Sequence, residues 1–256
     1  MLSGIQKTKG IKQYLGQIAC NIVFGVTKRN VILKKKLDRL FIVGHIITGV
    51  YAYLLGWWAL LLIPYAMFIF HAGHGAFAHR IFTHNADKTF TELSKRGHLL
   101  GHVLFNMCGW GSALVFGAIH VEHHKHSGTE LDPHEPRFIG KWNMFLGKYC
   151  LSTNKKFFKA RYKAPYAKWF HNNYFKMSWI LLPLSAPVLA FAFWARYVLL
   201  VMVHPNEDIP TAQDRWWLWP ILIGDETHEL HHNKPTGVKH HKFDFIYQCV
   251  RIFKIV

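Results

Sequence analysis

Acidic side chains are scarce in this sequence: 14 Asp plus Glu stand against 31 Lys plus Arg, which leaves a formal charge of +17 over 256 residues with neutral imidazoles. Cysteine is scarcer, with only Cys20, Cys108, Cys150 and Cys249, far apart and in no CxxC pair. That usage excludes a disulfide framework and a thiolate zinc site, so any metal must be bound through nitrogen. No GxGxxG follows a strand pattern and no His-Pro-Gly-Gly occurs, so neither a dinucleotide fingerprint nor that haem motif is present. The sharpest absence is local. From Leu40 to Ala78 there is no Lys, Arg, Asp or Glu. As helix that run would extend roughly 58 Å, about twice the ~30 Å hydrocarbon core of a bilayer. It therefore predicts a hairpin of two spans turning near Gly56-Trp57-Trp58, where tryptophans suit a membrane interface. A soluble nucleic-acid binder has no use for such a run, which removes the first explanation of a basic chain.

What is present gives the hairpin a direction. Residues 1–39 carry nine basic side chains and one acid, Asp38, and 125–176 carry eleven Lys or Arg and three acids. The positive-inside bias puts 1–39, a basic interfacial segment, and everything from His79 onward on the cytoplasmic side. The first apolar run begins too late and continues too long for a signal peptide. Two later apolar stretches differ from the first. Gly97–Val121 has five Gly and three His, which suits a re-entrant or interfacial segment. Met177–Asn206 is interrupted only by Arg196, with a bend at Ser185-Ala186-Pro187. At ~45 Å it predicts a second, short hairpin, the alternative being one tilted or kinked helix.

Histidine is abundant, at 19 residues, and it is grouped. His79 and His84 form an HxxxxH; His120, His123, His124 and His228, His231, His232 each form an HxxHH. A lone histidine is ordinarily a surface or hydrogen-bonded residue, but i, i+3 and i+4 share one helix face, so each HxxHH predicts three imidazoles aimed at one volume. The i, i+5 pair lies ~140° apart on an ideal helix, so His79 and His84 serve two metals or the helix bends between them. For three clusters to meet, each intervening stretch must cross the membrane an even number of times. Eight or nine nitrogen donors exceed one four-coordinate zinc and suit two iron ions.

These residues carry a resemblance. His79-Arg-Ile-Phe-Thr-His84, the run from His120 through Asp132-Pro133-His134, and Gly224-Asp-Glu-Thr-His228-Glu-Leu-His231-His232-Asn-Lys-Pro are similar to the HRxxxH, HRxHHxxxxxxxDPH and GExxHNxHHxxP boxes of membrane fatty acid desaturases, specifically the acyl-CoA (stearoyl, delta-9) type. Gly111-Ser-Ala-Leu114, Asp214-Arg-Trp-Trp217 and Phe243-Asp-Phe-Ile246 extend it from about Leu40 to the end of the sequence, so 40–256 reads as one desaturase domain.

The resemblance implies an all-α integral membrane protein with four transmembrane helices in two hairpins and a cytoplasmic helical cap around a di-iron site. It implies nine ligands: His79, His84, His120, His123, His124, His204, His228, His231 and His232. At the ninth, His204, Leu200 stands where the family has Asn; Val121-Glu122 and Glu229-Leu230 are further departures. Asp132, His134 and Glu226 are implied outer partners of the ligands. The implied activity is O2-dependent insertion of a cis double bond into a long acyl chain carried as a CoA, lipid or carrier-protein ester. Electrons would come from a separate b-type cytochrome or ferredoxin. A di-iron lipid hydroxylase is the alternative within enzymes. A membrane metal carrier or sensor is the alternative outside them, and it predicts charged or polar residues along the spans as an ion path, for which Leu40–Ala78 offers no charge and, as metal-binding imidazoles, only His45, His71 and His74.

Overall fold

The computed structural model describes residues 28–129, 131–133, 135–146, 154–204, 212–237 and 239–256. His134 and most of the basic segment 1–39 lie outside them. Among the described residues the protein is helical, with no strand and one isolated bridge, Asp214 to Thr227.

The first apolar run forms helix α1 (Lys28–Leu55), a 3-10 turn (Gly56–Leu61), helix α2 (Leu62–Phe70) and a π-helix, π1 (His71–Thr83). Gly56 adopts φ +55, a left-handed conformation that a residue with a Cβ enters at a cost. The chain reverses there. Tyr51 on one side and Tyr65 on the other donate to the carbonyls of Pro183 and Leu184, each at 2.9 Å. At the opposite end Phe41 and Phe70 pack against Phe193 and Phe191, with ring centroids 5.7 and 5.4 Å apart. Both arms thus lie along one further helix, α1 antiparallel to it and α2 parallel.

Helices α3 (Lys95–Met107) and α4 (Ala113–His126) fill the Gly97–Val121 region. Ser94 and Ser112 cap them, accepting from the amides of Gly97 and Val115. Helix α3 runs antiparallel to π1: Gly101 meets the Phe77 ring, and the Cys108 thiol lies beside the Phe70 carbonyl. Helix α4 runs parallel to π1, with Phe116 near His74 and His120 near His79. The reversal between them uses Gly109 at φ +74, where a Cβ would lie 2.4 Å from Leu189. The pair returns the chain to the end it left, as shared use of the histidines requires.

Of the Met177–Asn206 stretch, residues 177–204 are described and fold as an asymmetric hairpin that breaks at Leu181, a correction to the expected bend at Ser185-Ala186-Pro187, which lies inside a helix. Helix α5 (Tyr174–Ile180) brings Ser178 to Asn106 at the end of α3 (3.1 Å), and helix α6 (Leu182–Tyr197), continued by π2 (Val198–Met202), brings Leu189 to the same level at Gly109. The expected second pair of crossings is therefore corrected in its first arm: seven residues of α5 rise only ~10 Å, short of a ~30 Å core. Lys34–Thr83 and Leu182–Met202 are the two described helical runs long and apolar enough to cross a membrane. Large apolar side chains on the first point outward, including Ile46 (61% exposed), Leu54 and Trp58.

Beyond the hairpins, π1, α3, α4 and helix α8 (Phe245–Ile255) enclose an aromatic core around Phe77, Phe82 and Phe105. Two histidines of α3 belong to it. His102 stacks on Phe170 and His98 meets Phe90 edge-on. Burial pushes His98 down to about 4 and His102 to about 3. An unfolded histidine titrates near 6.5, so between that pH and about 4 the unfolded chain binds more protons, and folding stability falls as pH is lowered through this window. The unfolding midpoint of metal-free protein should drop between pH 6.5 and 4; replacing both histidines by Phe should make that slope shallower, and an unchanged slope would contradict the assignment.

Candidate metal centre

The nine histidines converge from four elements and the residues that closely follow them. His79 lies on π1 and His84 just after it; His120, His123 and His124 lie on α4; His204 follows π2; His228, His231 and His232 lie on helix α7 (His228–Asn233). Their ligand atoms form two groups able to hold a metal: His79, His84, His120, His124 and His231 in one, His123, His204, His228 and His232 in the other.

The local backbone explains the division, departs from ideal α-helix between His79 and His84 as the second of the two alternatives required, and corrects the expectation for the HxxHH motifs. His79 and His84 share the first group because π1 is not an α-helix: the His84 amide donates to the His79 carbonyl at 3.2 Å, an i→i+5 bond that places the two residues one turn apart on one face. The helix changes its winding, and the pair falls in one candidate group. The HxxHH motifs, in contrast, do not each aim at one volume. On α4 the i, i+4 pair His120 and His124 enters the first group while His123 enters the second. On α7 the pair His228 and His232 enters the second while His231 enters the first. Residues i+3 and i+4 point ~100° apart on a helix, enough to divide them between adjacent sites.

The geometry within the groups is that of donors around a cation. In the four-histidine group the Nε2 atoms form a closed ring, with His123 to His232 at 3.1 Å, His232 to His228 at 3.2 Å, His228 to His204 at 3.1 Å and His204 to His123 at 3.2 Å. At a metal–nitrogen distance of ~2.1 Å, ligands at right angles lie ~3.0 Å apart and tetrahedral ones ~3.4 Å, so the ring fits. In the five-histidine group, His231 Nε2 lies 2.9 Å from His79 Nε2 and 3.0 Å from His124 Nε2.

Outer partners decide which nitrogen carries the proton. His123 donates from Nδ1 to both oxygens of Asp132, at 2.9 and 2.8 Å, and His204 donates from Nδ1 to the Leu199 carbonyl. Both rings therefore present an Nε2 lone pair, and the two face each other at 3.2 Å. Two lone pairs at that distance repel; a cation between them converts the repulsion into ligation. The buried Nε2 of His84 has no hydrogen-bond partner among the described residues. Burial, then the neighbouring imidazoles, holds His84, His120, His228 and His231 well below their ordinary range and brings His232 to about 4. Rings kept neutral in this way are in the state that ligation needs. The donor set fits two divalent transition-metal ions.

The sequence-predicted outer partners divide as well. Asp132 faces His123. Glu226 turns away, accepting from the Gly224 amide at 2.7 Å and pairing with His241 at 2.6 Å. Its chain neighbour Asp225 takes the place beside the centre, 3.5 Å from His79 Nδ1. Burial opposes ionisation of Asp225, but His79, His74 and Arg80 together hold its carboxyl below the usual range. Two adjacent carboxylates in Gly224-Asp-Glu leave this choice to the backbone register. A second contact that motif reading misses is Arg80, fully buried, which donates to Asp244 and to the Gly224 carbonyl, each at 2.7 Å, tying the first histidine box to the third and to α8.

A cavity reaches both groups. His79, His120, His204 and His228 stand at its inner wall, Leu37, Trp110, Val115, Phe116, Leu199 and Leu200 along its sides, and Lys34, Asp38 and Arg196 where it passes between α1 and α6. Fold and site together define an all-helical protein with two candidate membrane-spanning helical runs and a buried histidine cluster able to bind metal. No protein-family model matches the chain, and no curated protein matches it.

Proposed function

We propose that this protein is an oxygen-dependent, di-iron fatty acyl desaturase of membranes, with the histidine cap and both termini on the cytoplasmic side and a separate electron donor. The observation that carries the reading is the pair of all-imidazole groups, five and four, at the inner end of an apolar cavity beside the candidate spans. A bound pair of irons would supply the oxidising power, drawn from O2 and two electrons, to remove hydrogen from an unactivated methylene. The chain supplies position. Leu199, Leu200, Val115 and Phe116 form walls against which an extended hydrocarbon can lie, holding one methylene near His120 and His204 and keeping water away from it. Asp132 and Leu199 hold their imidazoles in the ligating tautomer throughout.

Expression in a host with analysable lipids tests the function. Monounsaturated acyl chains should rise above the host background; an unchanged profile overturns the reading, and hydroxylated chains would replace it with a di-iron hydroxylase.

A further inference from the structure

The run Trp216–Gly224, just ahead of the third histidine box, contains no charged residue and no role at the centre accounts for its character. It forms a 3-10 turn (Trp216–Leu218) and a short helix (Trp219–Leu222) that hold large apolar side chains outward: Trp216 is 82% exposed, and Trp217 and Trp219 nearly half. Phe243, 68% exposed, joins them, because Trp219 Nε1 donates to its carbonyl at 3.3 Å.

Two contacts fix the level of this patch. The Ile221 carbonyl accepts from His71 Nε2 at 2.8 Å, and the Phe245 ring lies 5.8 Å from Phe68, itself exposed on α2. Both Phe68 and His71 belong to the candidate span Lys34–Thr83, and His71 is about two helical turns before the ligand His79. The patch is therefore continuous with the outward apolar face of that span. Lys242 lies over Phe243, its Nζ 5.6 Å from the ring centroid, a basic group at the edge of an aromatic cluster.

We propose that Trp216–Leu222 and Phe243 form a membrane-embedded aromatic wedge, seated in the interfacial layer of the same bilayer that the candidate spans would cross and edged by lysine toward anionic headgroups. Tryptophan's rigid amphipathic ring favours that layer, and continuity with Phe68 leaves lipid as the occupant of the face. The wedge would anchor the loop that leads into α7, fixing the third histidine box against the membrane surface. This inference rests on the membrane reading above.

The test uses full-length protein in lipid nanodiscs containing phosphatidylglycerol. Cys20 and Cys150 are replaced by Ser, and single cysteines carry an environment-sensitive fluorophore at Trp216→Cys, Phe243→Cys, Ile46→Cys in the span, and Glu92→Cys in the cap. Labels at 216 and 243 should follow Ile46→Cys: quenched by lipid-borne nitroxide, and at least about threefold less quenched by aqueous iodide than Glu92→Cys. If 216 and 243 follow Glu92→Cys while Ile46→Cys stays shielded, the wedge is refuted and the membrane reading stands. Shielding of 216 and 243 only after a soluble electron-transfer protein is added would make the face a protein-docking site and equally refute the wedge. Iodide access at Ile46→Cys would refute the membrane reading itself.

Discussion

Replacing His231 or His123 by Ala should each abolish the gain in monounsaturated acyl chains, and each should lower the metal content of purified protein from about two ions per chain to about one. The two substitutions strike different groups. His231 belongs to the five-histidine set, His123 to the four-histidine set. Loss of one imidazole removes a strong donor and leaves neighbouring Nε2 atoms, about 3 Å apart, without the cation that reconciles them. The remaining group keeps its full complement, so the expected defect in metal is half while the defect in product is total. Iron analysis together with lipid profiling of each variant checks this. Wild-type product from either variant refutes its role as a ligand, and stoichiometric zinc with no iron under iron-replete expression refutes the mechanism.

Asp132 should give the second-largest effect, and a graded one. Its carboxylate is fully buried and accepts the Nδ1–H of His123 with both oxygens. Asp132→Ala removes the acceptor that selects the ligating tautomer, and outer partners of this kind are worth about 10–100-fold in metal affinity. Asp132→Asn keeps an acceptor oxygen and the volume, so its loss should be smaller. Chelator competition on the purified variants measures the order. Equal losses in both would mean that charge, not tautomer selection, is what Asp132 contributes. No comparable effect is expected at Glu226, whose contacts run to Gly224 and His241.

The parts of the molecule that could be read in advance are those set by composition and helix period. A 39-residue run without charge has to fold back somewhere, and Gly56 beside two tryptophans marks the place. The Gly and His content of Gly97–Val121 pointed to a re-entrant or interfacial segment, and the structure reverses the chain there at Gly109. Three features were not legible, each because a local pattern is compatible with more than one backbone. An i, i+5 histidine pair does not reveal whether the helix is α or π, and the winding of π1 brings His79 and His84 together. An HxxHH shows shared exposure to one region without showing that the region holds two sites. Two adjacent carboxylates, Asp225 and Glu226, alternate in direction by one residue of register, and only the folded loop selects Asp225. The short first arm of the second hairpin was hidden for a related reason, since hydropathy does not record where a helix begins.

The crossed assignment of the two HxxHH motifs has a mechanical meaning. His123 and His124 are neighbours in the chain and so are His231 and His232, yet each pair is shared between the two groups. One peptide unit therefore joins the halves of the centre on α4, and a second joins them on α7. Neighbouring Cα atoms are held ~3.8 Å apart by covalent geometry, with no soft torsion along the peptide bond itself. Two planar amides, like rungs of a ladder, thus hold the Cα positions that feed the two halves at a fixed separation, and a motion that carries α4 and α7 together can shift the whole centre while leaving its internal span unaltered.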